Sequence, residues 1–375
     1  MSLKIPLSQP DVTNLDKKAV LEVLNTSWLS LGPKLKEFEE RVAEYVGAKR
    51  AIAVSNGTCA LHLIIKALNL GKGDEVITTP FSFVSSSNCI LYEGAKPVFV
   101  DIDPQTLCID AEKIEKAITR KTKAILAVDV FGHPADWQKI KRIAKKHKLY
   151  LIGDSAESLG SKYKNKKCGT FADASIFSFY PNKQITTGEG GMVITNNPEI
   201  AEICESLRNQ GRAPMKKEWN WLSHPRIGYN YRISDINCAL GIAQLKRIEK
   251  IISRRRKIAN LYSQKLKNIS GIEIPYVAPN IEMSWFVYVV RLKENYKKIR
   301  RDDILLSLRE KGIGCSNYFS PIHLQPPYKK MFGYRTGDFP VCESISQRTI
   351  ALPFYNNLKE KEIDYIVKVL ERLLK

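Results

Sequence analysis

Short apolar runs alternate with amphipathic segments through the first half of the chain. The runs Ala51–Ser55, Glu75–Thr79, Pro97–Ile102, Ala124–Val128, Tyr150–Asp154, Ala174–Phe179 and Gly191–Thr195 are each bounded by turn residues, and the pattern predicts a strand at each. Between the earlier ones, apolar positions recur at helical spacing over Thr58–Leu68, Val84–Tyr92, Ala111–Ile118 and Asp136–Lys146, with Asp136 placed to cap the last. Strands alternating with helices predict a mainly parallel sheet covered on both faces. The last two strands are joined only by a Pro- and Gly-containing turn around Lys183. That is too short for a right-handed parallel crossover, so one of the pair is expected to run antiparallel.

The pattern changes after Asn196. A helix is predicted over Pro198–Asn209, followed by a polar, aromatic stretch from Gly211 to Tyr231. One long helical pattern then runs from about Ser234 to about Leu266, a length suited to bridging two domains. Beyond it come a strand over Ser284–Leu292, a helix over Asp302–Lys311 ending at Gly312, and another strand. A Pro-rich loop from Pro321 to Pro327 and helices near Val341–Ile350 and Lys359–Leu374 complete the chain. The expected organisation is a large α/β domain over 15–248 and a small α+β domain over 249–375, with the extended residues 1–14 packing on the small one.

Composition narrows the class. At 375 residues, 44% hydrophobic and 26% charged, the chain reads as a soluble globular protein. No apolar run approaches the ~20 residues of a membrane helix, and Met1–Pro6 lacks the apolar stretch of a signal peptide. The eight cysteines form no Cys-x-x-Cys pair, so no metal site is expected and a reduced, cytoplasmic setting is. The net charge of +20 raises nucleic acid as a partner. The basic residues are scattered, however, as in Lys141-Arg142, Lys216-Lys217 and Arg254-Arg255-Arg256, without an aromatic-interleaved stripe. A solvated surface that also attracts a phosphorylated substrate fits better; a nucleic-acid-binding regulator is the weaker alternative.

Ligands of open α/β sheets bind beyond the carboxyl ends of the strands, so the residues there carry the chemical reading. After Ala51–Ser55 comes Asn56-Gly57-Thr58-Cys59, where a helix start offers free N–H groups to a phosphate. Taken alone this is an ordinary capped helix. Phe81 and Phe83 follow the second strand, as core residues or as a surface on which a flat ring stacks. Asp154 closes an apolar strand and is poorly placed for packing; there it can pair with a protonated ring nitrogen, with Ala156 small enough to lie under the ring and Glu157 near a ring substituent. Ser178 interrupts another apolar run, and Lys183 follows on the turn. A lysine on such a turn is most simply a solvated cation. It becomes a nucleophile toward aldehydes when burial or nearby charge favours its neutral form. Lysine, carboxylate, stacking group and phosphate cup, all at strand ends, are the parts that pyridoxal phosphate needs.

These residues closely resemble the DegT/StrS-type pyridoxal-phosphate-dependent nucleotide-sugar aminotransferases over nearly the whole chain. The similarity runs through Trp28-Leu29-Ser30-Leu31-Gly32-Pro33, Ser55-Asn56-Gly57-Thr58, Asp154-Ser155-Ala156-Glu157, the Lys183 segment with its Thr186-Thr187-Gly188-Glu189-Gly190-Gly191 tail, Gly228-Tyr229-Asn230-Tyr231-Arg232 and Pro321-Ile322-His323. The resemblance implies an aspartate-aminotransferase-like fold of type I, with a large mainly parallel sheet domain and a small C-terminal α+β domain. It implies Lys183 as Schiff-base lysine and Asp154 as partner of the ring nitrogen. It also implies Ala156 and Phe83 on the two ring faces, Glu157 near the ring hydroxyl, and Gly57, Thr58, Cys59 and Ser178 around the phosphate. Asn230 corresponds to a residue given to the neighbouring subunit's phosphate, hence a homodimer with composite sites. Trp28, Ser30, Tyr318 and His323 fall in the sugar-nucleotide region.

The implied activity moves an amino group, from L-glutamate, through pyridoxamine 5'-phosphate to the C4 ketone of a nucleotide-linked 4-keto-6-deoxyhexose, for surface polysaccharide or glycan synthesis. The Thr-Thr-Gly-Glu-Gly-Gly tail resembles members acting at C4, such as perosamine synthases. A C3-specific aminotransferase and a lyase of the same fold are the alternatives within this chemistry. Lysine rather than histidine at 183 favours transamination over dehydration.

Overall fold

The computed structural model describes residues 4–213, 223–296 and 298–375. Lys216-Lys217 and part of the polar, aromatic stretch lie outside them. The first half forms a seven-stranded sheet: β1 (Arg50–Val54), β2 (Glu75–Thr78), β3 (Lys96–Phe99), β4 (Thr122–Val128), β5 (Tyr150–Asp154), β6 (Ala174–Ser178) and β7 (Gly191–Thr195). The spatial order is β1-β7-β6-β5-β4-β2-β3. All neighbours are parallel except β7, which runs antiparallel to both β1 and β6. The short turn carrying Lys183 therefore reverses the chain, as its length requires.

The interior strands are buried along almost their whole length, as in Ala124–Val128 and Ala174–Phe177, because helices cover both faces. On one face the core includes Ile52, Leu63, Ile125, Ile152 and Val193; on the other, Phe38, Phe177, Phe179 and Ile242. Fully buried aliphatic or aromatic side chains of this kind each contribute roughly 1.5–3 kcal/mol. Helix Trp137–His147 buries Trp137, Ile140 and Ala144, and the Asp136 carboxylate accepts from the Lys139 N–H at 3.2 Å. Helical geometry over Ala111–Ile118 is shorter than expected, passing into a 3-10 turn at Glu115–Ala117.

The long helical pattern is two helices, Asp235–Leu245 and Ile248–Leu266. The break is at Arg247, whose backbone (φ −113°, ψ 12°) leaves the helical region. Its guanidinium reaches back to the N-terminal segment, pairing with Asp11 at 3.2 Å and Asp16 at 2.9 Å. The first helix packs on the large sheet's core through Ile242; the second continues into a separate core with Ile258, Tyr262, Tyr288, Leu308 and Ile366. That second core surrounds a three-stranded antiparallel sheet of Ile272–Glu273, Tyr288–Leu292 and Thr349–Leu352. Two expectations fail here. The helix near residue 341 spans only Pro340–Ser346, and Ile350 belongs to a strand, as its β-branched run Thr349-Ile350 favours. Directly after Gly312, in place of the expected strand, there are only isolated bridges that tie Ile313 to Ile5 and Ser316 to Ala351. Ile5 is buried in the second core, so the N-terminal segment packs there.

Candidate active site

The carboxyl ends of β1, β5 and β6 open into one cavity of about 780 Å³, a size ordinary for a cofactor and small substrate. Helix Gly57–Ala67 begins at its floor. Asn56 caps that helix, its side-chain oxygen accepting from the Cys59 N–H at 2.9 Å. The N–H groups of Gly57 and Thr58, in the first turn, have no intrahelical acceptor and form the positive end of the helix dipole. The Thr58 hydroxyl lies 2.8 Å from that of Ser85. Ser178, at the end of β6, packs so close that a Cβ on Gly57 would stand 3.2 Å from its own Cβ. A side chain there would fill the space in front of the helix.

Asp154 is 6% exposed. One carboxylate oxygen accepts from the Ser86 hydroxyl at 2.7 Å and the other from the Ala156 N–H at 3.2 Å. Burial pushes the carboxyl up from its ordinary range, opposed by those two hydrogen bonds and by the Lys183 charge. Glu157 is likewise raised by burial, which outweighs the Lys183 charge and the Phe131 N–H that donates to it at 2.8 Å. The Lys183 amine lies 3.5 Å from Glu157 and 3.9 Å from the centre of the Phe286 ring. Its turn is pinned from three sides. The Lys183 N–H donates to Tyr180 O at 2.9 Å, Arg255 donates to the Lys183 carbonyl at 3.1 Å, and the Gln184 amide donates to Glu157 O and the Ser284 hydroxyl.

Of the residues singled out from sequence, Lys183, Asp154, Ala156, Glu157 and Ser178 line this cavity. So do Gly57, Thr58, Cys59, Phe83 and Tyr318. Phe83 stands 63% exposed at the mouth, while Phe81 is core. Four others are not in its wall. Asn230 is exposed, with its backbone bridged to Asn209. Trp28 is exposed, and Ser30 bridges to Ser234. His323 is fully buried, 3.0 Å from Glu343 and packed edge-on against Phe339. It is a core histidine in this chain, not a cavity residue.

Several site residues escape sequence reasoning. Ser86, which holds Asp154 from behind the cavity wall, lies in the first turn of helix Ser85–Tyr92 and carries no local signal. Asn182 stands beside Lys183, its side-chain oxygen buried without a partner. Phe286 sits in an aromatic run that reads as core. The cavity thus joins an amine, a buried carboxylate, an open helix N-terminus and an unpaired amide oxygen, a set that fits pyridoxal phosphate. Among the described residues no group of His, Cys, Asp or Glu is arranged to hold a metal, and no helix is long and apolar enough to cross a membrane. The eight cysteines are free and seven are buried.

The sequence profile of the DegT/DnrJ/EryC1/StrS aminotransferase family matches residues 10–371. GDP-perosamine synthase of Caulobacter vibrioides is 38% identical over 99% of this chain and 98% of its own length. Spore coat polysaccharide biosynthesis protein SpsC of Bacillus subtilis is 37% identical over 99% and 97%. Among solved structures, Helicobacter pylori PseC, an aminotransferase of pseudoaminic acid biosynthesis, superposes with a TM-score of 0.92 at 33% identity, covering 98% of both chains. The chain belongs to the DegT/DnrJ/EryC1/StrS aminotransferase family and is a pyridoxal-phosphate-dependent sugar aminotransferase of the type I fold.

Proposed function

We propose that this enzyme transfers an amino group from L-glutamate to the C4 ketone of a nucleotide-linked 4-keto-6-deoxyhexose. The observation that carries the reading is the convergence of Lys183, Asp154 and the Gly57–Thr58 helix start in one cavity. The similarity to GDP-perosamine synthases of Caulobacter vibrioides and Escherichia coli, at 38% and 39% identity, supports the choice of substrate class. Pyridoxal phosphate supplies, when bound, a carbonyl to carry the amino group and a ring that delocalises the charge left when a C–H bond breaks.

The chain's residues do the rest. The N–H groups of Gly57 and Thr58 and the Ser178 hydroxyl would hold the phosphate. Ala156 and Phe83 would lie against the ring. Asp154, anchored by Ser86, keeps a proton on the ring nitrogen; its burial makes a charged partner more valuable there than water would. The Lys183 amine, once free, would carry the proton between the substrate carbon and the cofactor carbon on the far side of the shared nitrogen.

A homodimer with Asn230 reaching the neighbouring site is part of this reading. Its support is the apolar surface left exposed: Leu15, Leu21 and Leu24 on one helix, Trp28, and Phe83 and Tyr92 at the cavity mouth. The test is mass spectrometry of products after incubating the enzyme with nitrogen-15 L-glutamate and a panel of nucleotide-linked 4-keto and 3-keto sugars. Labelled amine at C4 is expected. Acceptance of 3-keto substrates alone, or of none, overturns the assignment.

A further inference from the structure

The Lys183 amine does not point into open space. It lies between the Glu157 carboxylate, at 3.5 Å, and the face of Phe286, at 3.9 Å from the ring centre. Both partners suit a cation: a buried carboxylate attracts it directly, and the ring face attracts it through its quadrupole. The lysine and glutamate side chains are only 12% and 10% exposed, so water competes weakly for the ammonium.

The backbone is shaped to bring these two partners together. Gly132, at φ +90°, is the point of closest approach: a Cβ there would stand 2.9 Å from Glu157 O and 3.4 Å from Phe286 N. Trp285 adopts the left-handed region at φ +57°, an uncommon conformation for a bulky residue. The Trp285 and Phe286 carbonyls both accept from Arg255, at 3.0 and 3.1 Å. The same guanidinium donates to the Lys183 carbonyl at 3.1 Å. Arg255 is 3% exposed and has no carboxylate within ion-pair distance among the described residues. Burial pulls its pKa down to about 10. A buried guanidinium whose hydrogen bonds go only to carbonyls, with the Phe354 ring 5.5 Å away, is costly, and its three acceptors are the carbonyls of Lys183, Trp285 and Phe286.

We infer that Glu157 and Phe286 form a resting cradle that holds the Lys183 ammonium, in the cofactor-free enzyme and after the freed amine has taken up the substrate proton, with Arg255 as the positioning residue that sets the cradle's geometry. This rests on Lys183 being the lysine that bonds the cofactor. The cradle lets Glu157 serve in two states: near the ring hydroxyl when the lysine is bonded, and against the ammonium when it is free. Phe286 packs its ring into the core and offers its face to the amine, so its contribution to the cradle falls on the half of the cycle in which Lys183 is released.

The test uses the cofactor-free enzyme and does not depend on turnover. Trace acetylation with acetic anhydride at fixed pH, read by mass spectrometry at Lys183 against an exposed lysine of the same sample, reports how much of the amine is free base. Glu157→Gln is expected to raise Lys183 labelling about tenfold, and Phe286→Leu about threefold. Phe286→Tyr keeps a ring face and should label like the parent chain. If Phe286→Tyr and Phe286→Leu label alike, or if neither Glu157→Gln nor Phe286→Leu changes the rate, the cradle is refuted. For Arg255, Phe286→Leu should lose its effect in an Arg255→Met background; an undiminished effect shows that Arg255 does not act through the ring. Borohydride reduction of the loaded enzyme and peptide mapping separates the two readings. Cofactor mapped to another residue refutes the role of Lys183 itself, whereas cofactor on Lys183 with unchanged labelling refutes only the cradle.

Discussion

Asp129 and Asp154 stand at the ends of neighbouring parallel strands, each closing an apolar run, and burial raises both carboxyls. Their surroundings differ. Asp129 is fully buried and receives four donors: the Ala135 N–H and Trp137 indole N–H at 2.9 Å, and the Ser155 and Ser158 hydroxyls at 2.7 Å. Asp154 receives two and faces the cavity. A carboxylate has about four lone-pair positions. In Asp129 all are used within the chain, fixing the segment that carries Ala156 and Glu157. In Asp154 two are left for a ligand. Identical residues one register position apart on neighbouring strands thus divide into scaffold and site by what the fold places around each, four donors for Asp129 and two for Asp154.

Amide substitution breaks the comparison most sharply. Asp154→Asn should lower turnover about a thousandfold, roughly 4 kcal/mol of transition-state stabilisation, because a neutral amide does not favour a protonated ring nitrogen. Steady-state kinetics on the loaded enzyme measures it. The same change should leave the cofactor-free fold intact and raise its melting temperature at neutral pH. Since the folded-state pKa of Asp154 is raised, its ionisation costs stability as pH rises through that value. The amide removes the cost, and the Ser82–Ser86 hydroxyl pair, 2.8 Å apart, can rotate to accept from it.

Asp129→Asn has the opposite sign. An amide cannot accept from four donors, and the orphaned groups should cost about 3 kcal/mol of unfolding free energy, measured by denaturant titration. Ser86→Ala lies between, with a loss of about tenfold in turnover from one charge-assisted hydrogen bond, ~1.4 kcal/mol, and little change in stability.

The smallest effect concerns His133, beside the Asp129 segment. Burial lowers its pKa to about 4 from an ordinary 6.5, and it bonds the Pro134 carbonyl at 2.8 Å. Between those values the unfolded chain binds more protons than the folded one. Its contribution to stability is therefore complete above 6.5 and lost as pH falls toward 4. Melting temperatures across that window should fall less steeply in His133→Gln.

The sheet was legible because strands in a doubly covered parallel sheet are continuous apolar runs, and Asp154 and Lys183 stood out as polar residues at their ends. Which acidic strand end was open could not be read, since Asp129 ends its run just as Asp154 does and the donors that distinguish them come from other elements. Ser86 was hidden for the same reason: a serine inside a helix acquires its role only when β5 arrives beside it. Phe286 read as core because an aromatic over a lysine has the same pattern as one under a leucine. The break at Arg247 depends on Asp11 and Asp16, more than two hundred residues earlier, and no local signal announces it. His323, set beside the sugar by its motif, is held in the core by Glu343.

The central claim is that Lys183 carries the cofactor opposite Asp154. Borohydride reduction of the enzyme loaded with pyridoxal phosphate, followed by digestion and mass spectrometry, tests it directly. The account predicts one stable pyridoxyl adduct, on Lys183, absent from Lys183→Ala. An adduct on a different lysine, or one that survives in Lys183→Ala at the same yield, would contradict it.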